Sequence, residues 1–174
     1  LNKTDLVVHS FKDLPVKHSK KSKFICLSRD DPRDVLLIKK KSIHRSSLTI
    51  ATSSPRRRFY LRHLREFLPN KKFKSNSIRG NITTRLEKII LSNKHDGVFM
   101  AKAAIDRVFQ YGQKINNKEF QKFRKYFNQF EYIILPLSNF PAAAAQGCIA
   151  LEYSAKNRKL DSILKSINDL HSYH

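Results

Sequence analysis

Arginine recurs at two chain turns, in Ala51-Thr-Ser-Ser-Pro-Arg-Arg-Arg58 and in Ser77-Ile-Arg-Gly-Asn-Ile-Thr-Thr-Arg85. In each segment a strand-like apolar run ends and an amphipathic helix begins. The free N–H groups at a helix start, and the positive end of its dipole, attract anions. Arg56 and Arg57 in the first turn, and Arg79 and Arg85 in the second, add fork-shaped donors that match a carboxylate or phosphate bidentately. One such turn says little. Two of them point to a ligand carrying several negative groups. Arg58, Arg62 and Arg65 read instead as solvated helix surface.

These side chains need elements to hold them. Ser46-Ser-Leu-Thr-Ile-Ala-Thr52 alternates toward a β-branched strand, Ser53 or Ser54 can cap the next helix, and Pro55 suits its first position, where the missing N–H costs nothing. Tyr60, Leu61, Leu64, Phe67 and Leu68 then repeat on one helical face, as Ile82, Leu86, Ile89 and Ile90 do after the second turn. Along the chain, strands are predicted near 5–9, 23–28, 34–38, 47–52, 96–101, 131–136 and 147–153. Helices are predicted at 55–68, 82–92, 102–111, 117–128 and 157–170. This alternation argues for an α/β fold with a largely parallel sheet.

The chain has 174 residues, of which 40% are hydrophobic, enough for a globular core. At this length about 70% of the unfolded surface can be buried. Lysine and arginine number 35 against 14 acidic residues, a net charge of +21, so an anionic partner must be considered. The excess is spread thinly over nearly every loop, which argues against nucleic acid. No apolar run approaches the ~18 residues of a membrane span and no signal peptide opens the chain, so no membrane partner and a cytoplasmic location are expected. Cys26 and Cys148 lie in apolar strand-like runs and read as small core residues. Beyond His171 and His174, the histidines show no ligand spacing, and no metal is expected.

Asp30-Asp31-Pro32-Arg33-Asp34 reads as a polar crossover and Leu135-Pro-Leu-Ser-Asn-Phe-Pro141 as a return. Two adjacent crossings are a hinge arrangement, in which ligands bind in the cleft between lobes. One lobe, 32–137, would be complete. The other, 1–31 with 138–155, would be partial, and 156–174 would form a helix leading toward a further domain. Leu1 is not an initiator methionine, and Asp5-Leu-Val-Val-His-Ser10 is a strand with nothing before it to pack against, so the chain reads as a fragment. That strand runs into Lys12 and Asp13 at a strand-to-loop edge, the usual place for chemistry in an open α/β sheet.

His9-Ser-Phe-Lys-Asp-Leu-Pro15, Arg29-Asp-Asp-Pro-Arg-Asp34, Thr52-Ser-Ser-Pro-Arg-Arg57, Arg79-Gly-Asn-Ile-Thr-Thr-Arg85 and Gln146-Gly147 follow one another in an order and spacing that resembles the porphobilinogen deaminases, or hydroxymethylbilane synthases. The resemblance covers essentially the whole chain but only part of the family's three-domain enzyme. It implies a two-lobed architecture of the type II periplasmic-binding-protein kind, and a monomeric transferase of heme (tetrapyrrole) biosynthesis. Such an enzyme condenses four porphobilinogens head to tail, releasing ammonia, on a covalently attached dipyrromethane primer. The alternative is a non-catalytic module of the same fold that binds polycarboxylates.

The resemblance also assigns residues. Asp13 corresponds to the catalytic aspartate. Arg56, Arg57, Arg79, Arg85 and Arg107 correspond to binders of acetate and propionate side chains. Ser10, Lys12, Thr52, Ser53, Gly80 and Gln146 correspond to positions lining the same site. The family's N-terminal segment, with a further substrate-binding arginine, and the domain bearing the primer's cysteine have no counterpart here. Neither Cys26 nor Cys148 occupies that cysteine's place. Within the motifs, Pro55 replaces a usual leucine, Asn76 stands where arginine is common, and Ala145 stands where glycine is usual. Ala145 would be strained if its turn needs a positive φ.

Overall fold

In a computed structural model, which describes residues 4–15, 17 and 19–173, the chain folds as two units: Leu1–Pro32 with Ala142–His174, and Arg33–Pro141. His174, the second histidine of the spacing noted above, lies outside the described residues.

The second unit is a five-stranded sheet of β3 (Asp34–Lys39), β4 (Ser47–Ala51), β5 (Lys72–Asn76), β6 (Gly97–Ala101) and β7 (Phe130–Ile134), in the order β5-β4-β6-β3-β7. Helices cover both faces. On one, α1 (Pro55–Phe67) buries Tyr60, Leu61 and Leu64 against Leu36, Ile38, Ile50 and Phe99. On the other, α2 (Ile82–Leu91), α3 (Lys102–Ile115) and α4 (Lys118–Phe127) bury Leu86, Ile89, Ile105 and Phe123 against Val35, Leu37, Val98 and Met100. The two-residue period of β3 thus feeds both cores, which is why all its residues are buried. Each such Leu, Ile or Phe contributes roughly 1.5–3 kcal/mol of transfer free energy.

The sheet is less parallel than expected. β4 runs parallel to β5 and β6, but β3 runs against both β6 and β7. β3 starts directly after the crossing at Pro32, so its first residue, Asp34, lies beside the last residue of β6, Ala101. An acid thereby arrives at the edge where the parallel strands end. β5 was not expected at all: in Lys72-Phe-Lys-Ser-Asn76 only Phe73 is apolar, and only Phe73 is buried.

At the opposite end of β6, Asp96 accepts from Ser42 Oγ (2.8 Å), Arg45 Nη1 (2.8 Å) and the Thr49 N–H (2.9 Å). Burial would raise its pKa, but these hydrogen bonds and the charges of Arg45 and Lys39 outweigh it and hold the carboxyl below its usual value. A depressed folded-state pKa gives stability that is complete above the ordinary value and lost as pH falls through the lower one. Asp96→Asn is therefore expected to cost about 2 kcal/mol at neutral pH. The gap from the native protein should narrow as pH falls below about 4 in urea titrations at each pH. A gap unchanged down to pH 3 would count against this role.

The first unit carries a three-stranded antiparallel sheet, β1 (Leu6–Ser10), β2 (Ser22–Cys26) and β8 (Ile149–Ser154), in the order β1-β8-β2. The helix expected over 157–170 is two helices, α5 (Arg158–Lys165) and α6 (Leu170–Tyr173). Asn168 and Asp169 interrupt it because they are used elsewhere: Asn168 Oδ1 accepts from the Cys26 N–H (2.9 Å), and the Asp169 N–H donates to the Cys26 carbonyl (2.8 Å). Leu164 of α5 packs with Ile25, Leu151 and Tyr153. Ala145 does take a positive φ, +55°, a region where alanine is strained and glycine is not. Ala145→Gly is expected to raise the unfolding free energy by about 1 kcal/mol. A fall in the denaturation midpoint would refute that.

Candidate functional site

Because β5, β4 and β6 are adjacent and parallel, their C-terminal ends share one sheet edge, and each is followed by a helix. In open α/β sheets that edge is where ligands bind. Local sequence fixes both turns. At the first, Ser54 is the N-cap, its side chain accepting from the Arg57 N–H, and Pro55 takes the first helical position. At the second, Asn81 Oδ1 caps α2 through the Thr84 N–H (2.8 Å), and Gly80 bends the chain with φ +128°.

Ser53 joins the two turns. Its Oγ donates to the Ile78 carbonyl (2.7 Å) and accepts from the Ile78 N–H (3.1 Å), so one hydroxyl sets the spacing between the arginine-bearing loops. Buried Thr52 adds a second tie, its N–H donating to the Asn76 carbonyl (2.7 Å). Arg85 Nε donates to the Gly80 carbonyl (2.7 Å) and Lys88 Nζ to the Arg79 carbonyl (3.0 Å), holding the second loop. The Arg79 guanidinium is exposed and makes no hydrogen bond among the described residues. Arg107, half-buried on α3, lines an open groove with Asn81 and Ile82 at the start of α2.

Arg56 and Arg57 are arranged differently. Both hold Asp34, whose side chain is fully buried: Arg57 gives Nη2 (2.7 Å) and Nε (3.2 Å) to Oδ1, and Arg56 gives Nη1 (2.6 Å) to Oδ2. Arg56 also donates to Tyr60 Oη (3.2 Å) and the Pro141 carbonyl (2.9 Å), and lies 5.2 Å from the Tyr60 ring centre. Burial alone would weaken its hold on the proton, but the hydrogen bonds to Asp34 and Tyr60 reverse this and raise its pKa. Arg57 is 8% exposed, so much of its fork is engaged internally. Sequence reading passed over Asp34. Its signal was an acid opening an otherwise apolar strand.

In the first unit, Ser10 ends β1 and Lys12 and Asp13 complete the single 3-10 turn that follows. Asp13 is exposed, and its carboxylate makes no hydrogen bond or ion pair among the described residues. It therefore does not cap this turn. Gln146 is 1% exposed and donates from Nε2 to the Pro32 carbonyl (2.6 Å), while Arg29 Nε donates to the Gln146 carbonyl (3.0 Å). Gly147 has φ +96°, and a Cβ there would lie 2.4 Å from the Asp30 carbonyl oxygen. Both residues thus pack under the chain leading to the crossing. Cys26 and Cys148 are buried, and burial, with a hydrogen bond between the thiols, pushes Cys26 up to about 12. A thiol held so firmly is a poor nucleophile.

The family model described as "Porphobilinogen deaminase, dipyromethane cofactor binding domain" matches residues 1–162. A probable porphobilinogen deaminase of Picrophilus torridus is 38% identical over 176 residues, covering 99% of this chain and 53% of that relative. A porphobilinogen deaminase of Clostridium novyi is 37% identical over 173 residues, covering 97% of this chain and 51% of that one. The chain thus spans about half the length of the curated relatives it matches. Among solved structures, an ABC transporter from Parabacteroides distasonis superposes with a TM-score of 0.51 at 13% identity, over 95% of this chain and 53% of that one. The chain shares the α/β, periplasmic-binding-protein-like fold class expected from its sequence. With a family model spanning nearly its full length and relatives above 30% identity agreeing, the chain belongs to the porphobilinogen deaminase family.

Proposed function

We propose that this chain is the substrate- and primer-binding part of a hydroxymethylbilane synthase, which joins four porphobilinogens head to tail and releases ammonia at each step of tetrapyrrole biosynthesis. The observation that carries this reading is the edge shared by β5, β4 and β6, where Arg79, Arg85 and Arg107 follow parallel strands and Ser53 locks two loops together. Each porphobilinogen brings an acetate and a propionate, so a growing chain needs several cations in fixed register. Arg56 adds a partly exposed guanidinium kept charged by Asp34.

Asp13 supplies the chemistry. Loss of ammonia from the aminomethyl group leaves an electron-poor azafulvene, and a carboxylate beside the pyrrole nitrogen stabilises its positive charge and takes up or returns the proton. Among the described residues Asp13 has no hydrogen-bond or ion-pair partner to give up before doing so. Lys12, on the same turn, and Ser10, just before it, would orient substrate carboxylates.

The donor set also suits dipyrromethane, whose carboxylates match the Arg79, Arg85 and Arg107 guanidiniums. When bound, this group supplies the pyrrole end that is extended. Burial of Cys26 and Cys148 favours its attachment through a cysteine outside these 174 residues. The enzyme is read as a cytoplasmic monomer with no nucleic-acid or membrane partner; among the described residues, no helix is long and apolar enough to cross a membrane.

The test is the complete protein carrying this segment, incubated with porphobilinogen. Bilane and ammonia should appear together, and the intact mass should show a dipyrromethane adduct. Tight polypyrrole binding with neither ammonia nor adduct would overturn the reading in favour of a polycarboxylate-binding module.

A further inference from the structure

On the face of α1 away from Asp34, Arg58, Arg62 and Arg65 line an open groove of about 400 Å³ against the edge strand β5, with Leu61 and Phe73 at its floor and Ser75 on its rim. The i, i+4, i+7 spacing spreads the three guanidiniums over about 10 Å along the helix. Two are held in place by the unit itself: Arg65 Nη2 donates to the Phe73 carbonyl (3.3 Å), and Arg58 Nη2 approaches the Ser53 carbonyl and Ser77 Oγ at 3.4 Å each. Arg62 is exposed and makes no hydrogen bond or ion pair among the described residues. No carboxylate lines the groove. By contrast, elsewhere on the unit the exposed Lys40 and Lys122 and the half-buried Lys102 pair with Glu131, Glu87 and Asp106.

Three guanidiniums on one wall, two braced and none paired with a carboxylate among the described residues, sum to a positive potential that favours an anion among them. We propose that this groove is a second anion site, separate from the arginine turns, which takes a small ligand bearing two or three carboxylate or phosphate groups roughly 5–10 Å apart. Arg58 and Arg65 set the spacing and Arg62 closes on the ligand. The apolar floor accommodates a flat ring better than an extended chain. A nucleic acid is disfavoured because the groove is short and its floor carries only one aromatic ring, the largely buried Phe73.

The site does not depend on the catalytic reading, and its test separates the two. The complete protein is titrated with benzene-1,3,5-tricarboxylate, tripolyphosphate and acetate while the arginine Nε–H NMR signals are followed. The Arg58, Arg62 and Arg65 signals should move along one saturable curve with both multivalent probes but not with acetate, and the tighter probe identifies carboxylate or phosphate as the natural group. In Arg62→Gln the curve at Arg58 and Arg65 should weaken about tenfold, as expected for one lost charge-assisted pair, while the Arg79 curve stays put. Lys156→Gln, an exposed charge outside the groove, controls for net charge. Three arginines that shift no more than Arg124, an equal loss in Lys156→Gln, or binding only to a single-stranded RNA oligomer would overturn the proposal.

Discussion

Asp13→Ala in the complete protein is expected to lower the rate of bilane formation by about 10²–10⁴-fold, the usual contribution of a positioned acid–base or charge-stabilising group. The protein should otherwise be unchanged. Asp13 is exposed, caps nothing and makes no ion pair among the described residues, so its removal leaves no buried group unsatisfied. The unfolding midpoint should stay within about 0.5 kcal/mol of the native value. The two readouts divide the explanations. A lost rate with an unmoved midpoint assigns Asp13 to the chemistry. A lost rate with a lowered midpoint makes it a structural residue, and retained turnover removes it from the mechanism. Asp13→Asn keeps shape and hydrogen bonding but not charge. If charge stabilisation dominates, it should be nearly as slow as alanine.

Much of the arginine edge was legible in the sequence because its determinants are local. A β-branched run, a serine cap, Pro55 and a 3.6-residue apolar period define β4 and α1 without reference to the rest of the chain. The same holds for Asn81 and α2. What escaped was set by distant partners. β5 has one apolar residue and exists because its backbone completes β4, with Thr52 N–H reaching the Asn76 carbonyl at one end and Lys72 N–H the Ser46 carbonyl at the other. The break between α5 and α6 comes from Cys26, more than 140 residues earlier. Ser53 looked like a cap or a ligand donor, whereas it ties one loop to the other. The direction of β3, which brings Asp34 to the arginines, follows from the crossing and from no period in the strand itself.

Asp34 carries the largest expected effect on stability. Its carboxylate is wholly inaccessible and answers two guanidiniums, one with a side-chain exposure of 9% and the other of 26%. Removing one partner of a buried ion pair leaves the other charge desolvated and uncompensated, which costs about 3–5 kcal/mol. For a domain whose whole stability is typically about 5–15 kcal/mol, Asp34→Ala should bring the Arg33–Pro141 unit close to unfolding. Urea titration should show the midpoint falling with little change in slope, since the surface exposed on unfolding is the same. Replacing the pair rather than half of it should behave differently: Asp34→Leu with Arg57→Leu removes both buried charges and should recover much of the loss. Arg56 would then lack the carboxylate that orients it. The double variant should therefore fold yet bind porphobilinogen more weakly, separating the role of Asp34 in the fold from its role in presenting Arg56. An Asp34→Ala protein within 1 kcal/mol of native would show that Arg56 and Arg57 reach water or other acceptors, and that the triad does not hold the site together.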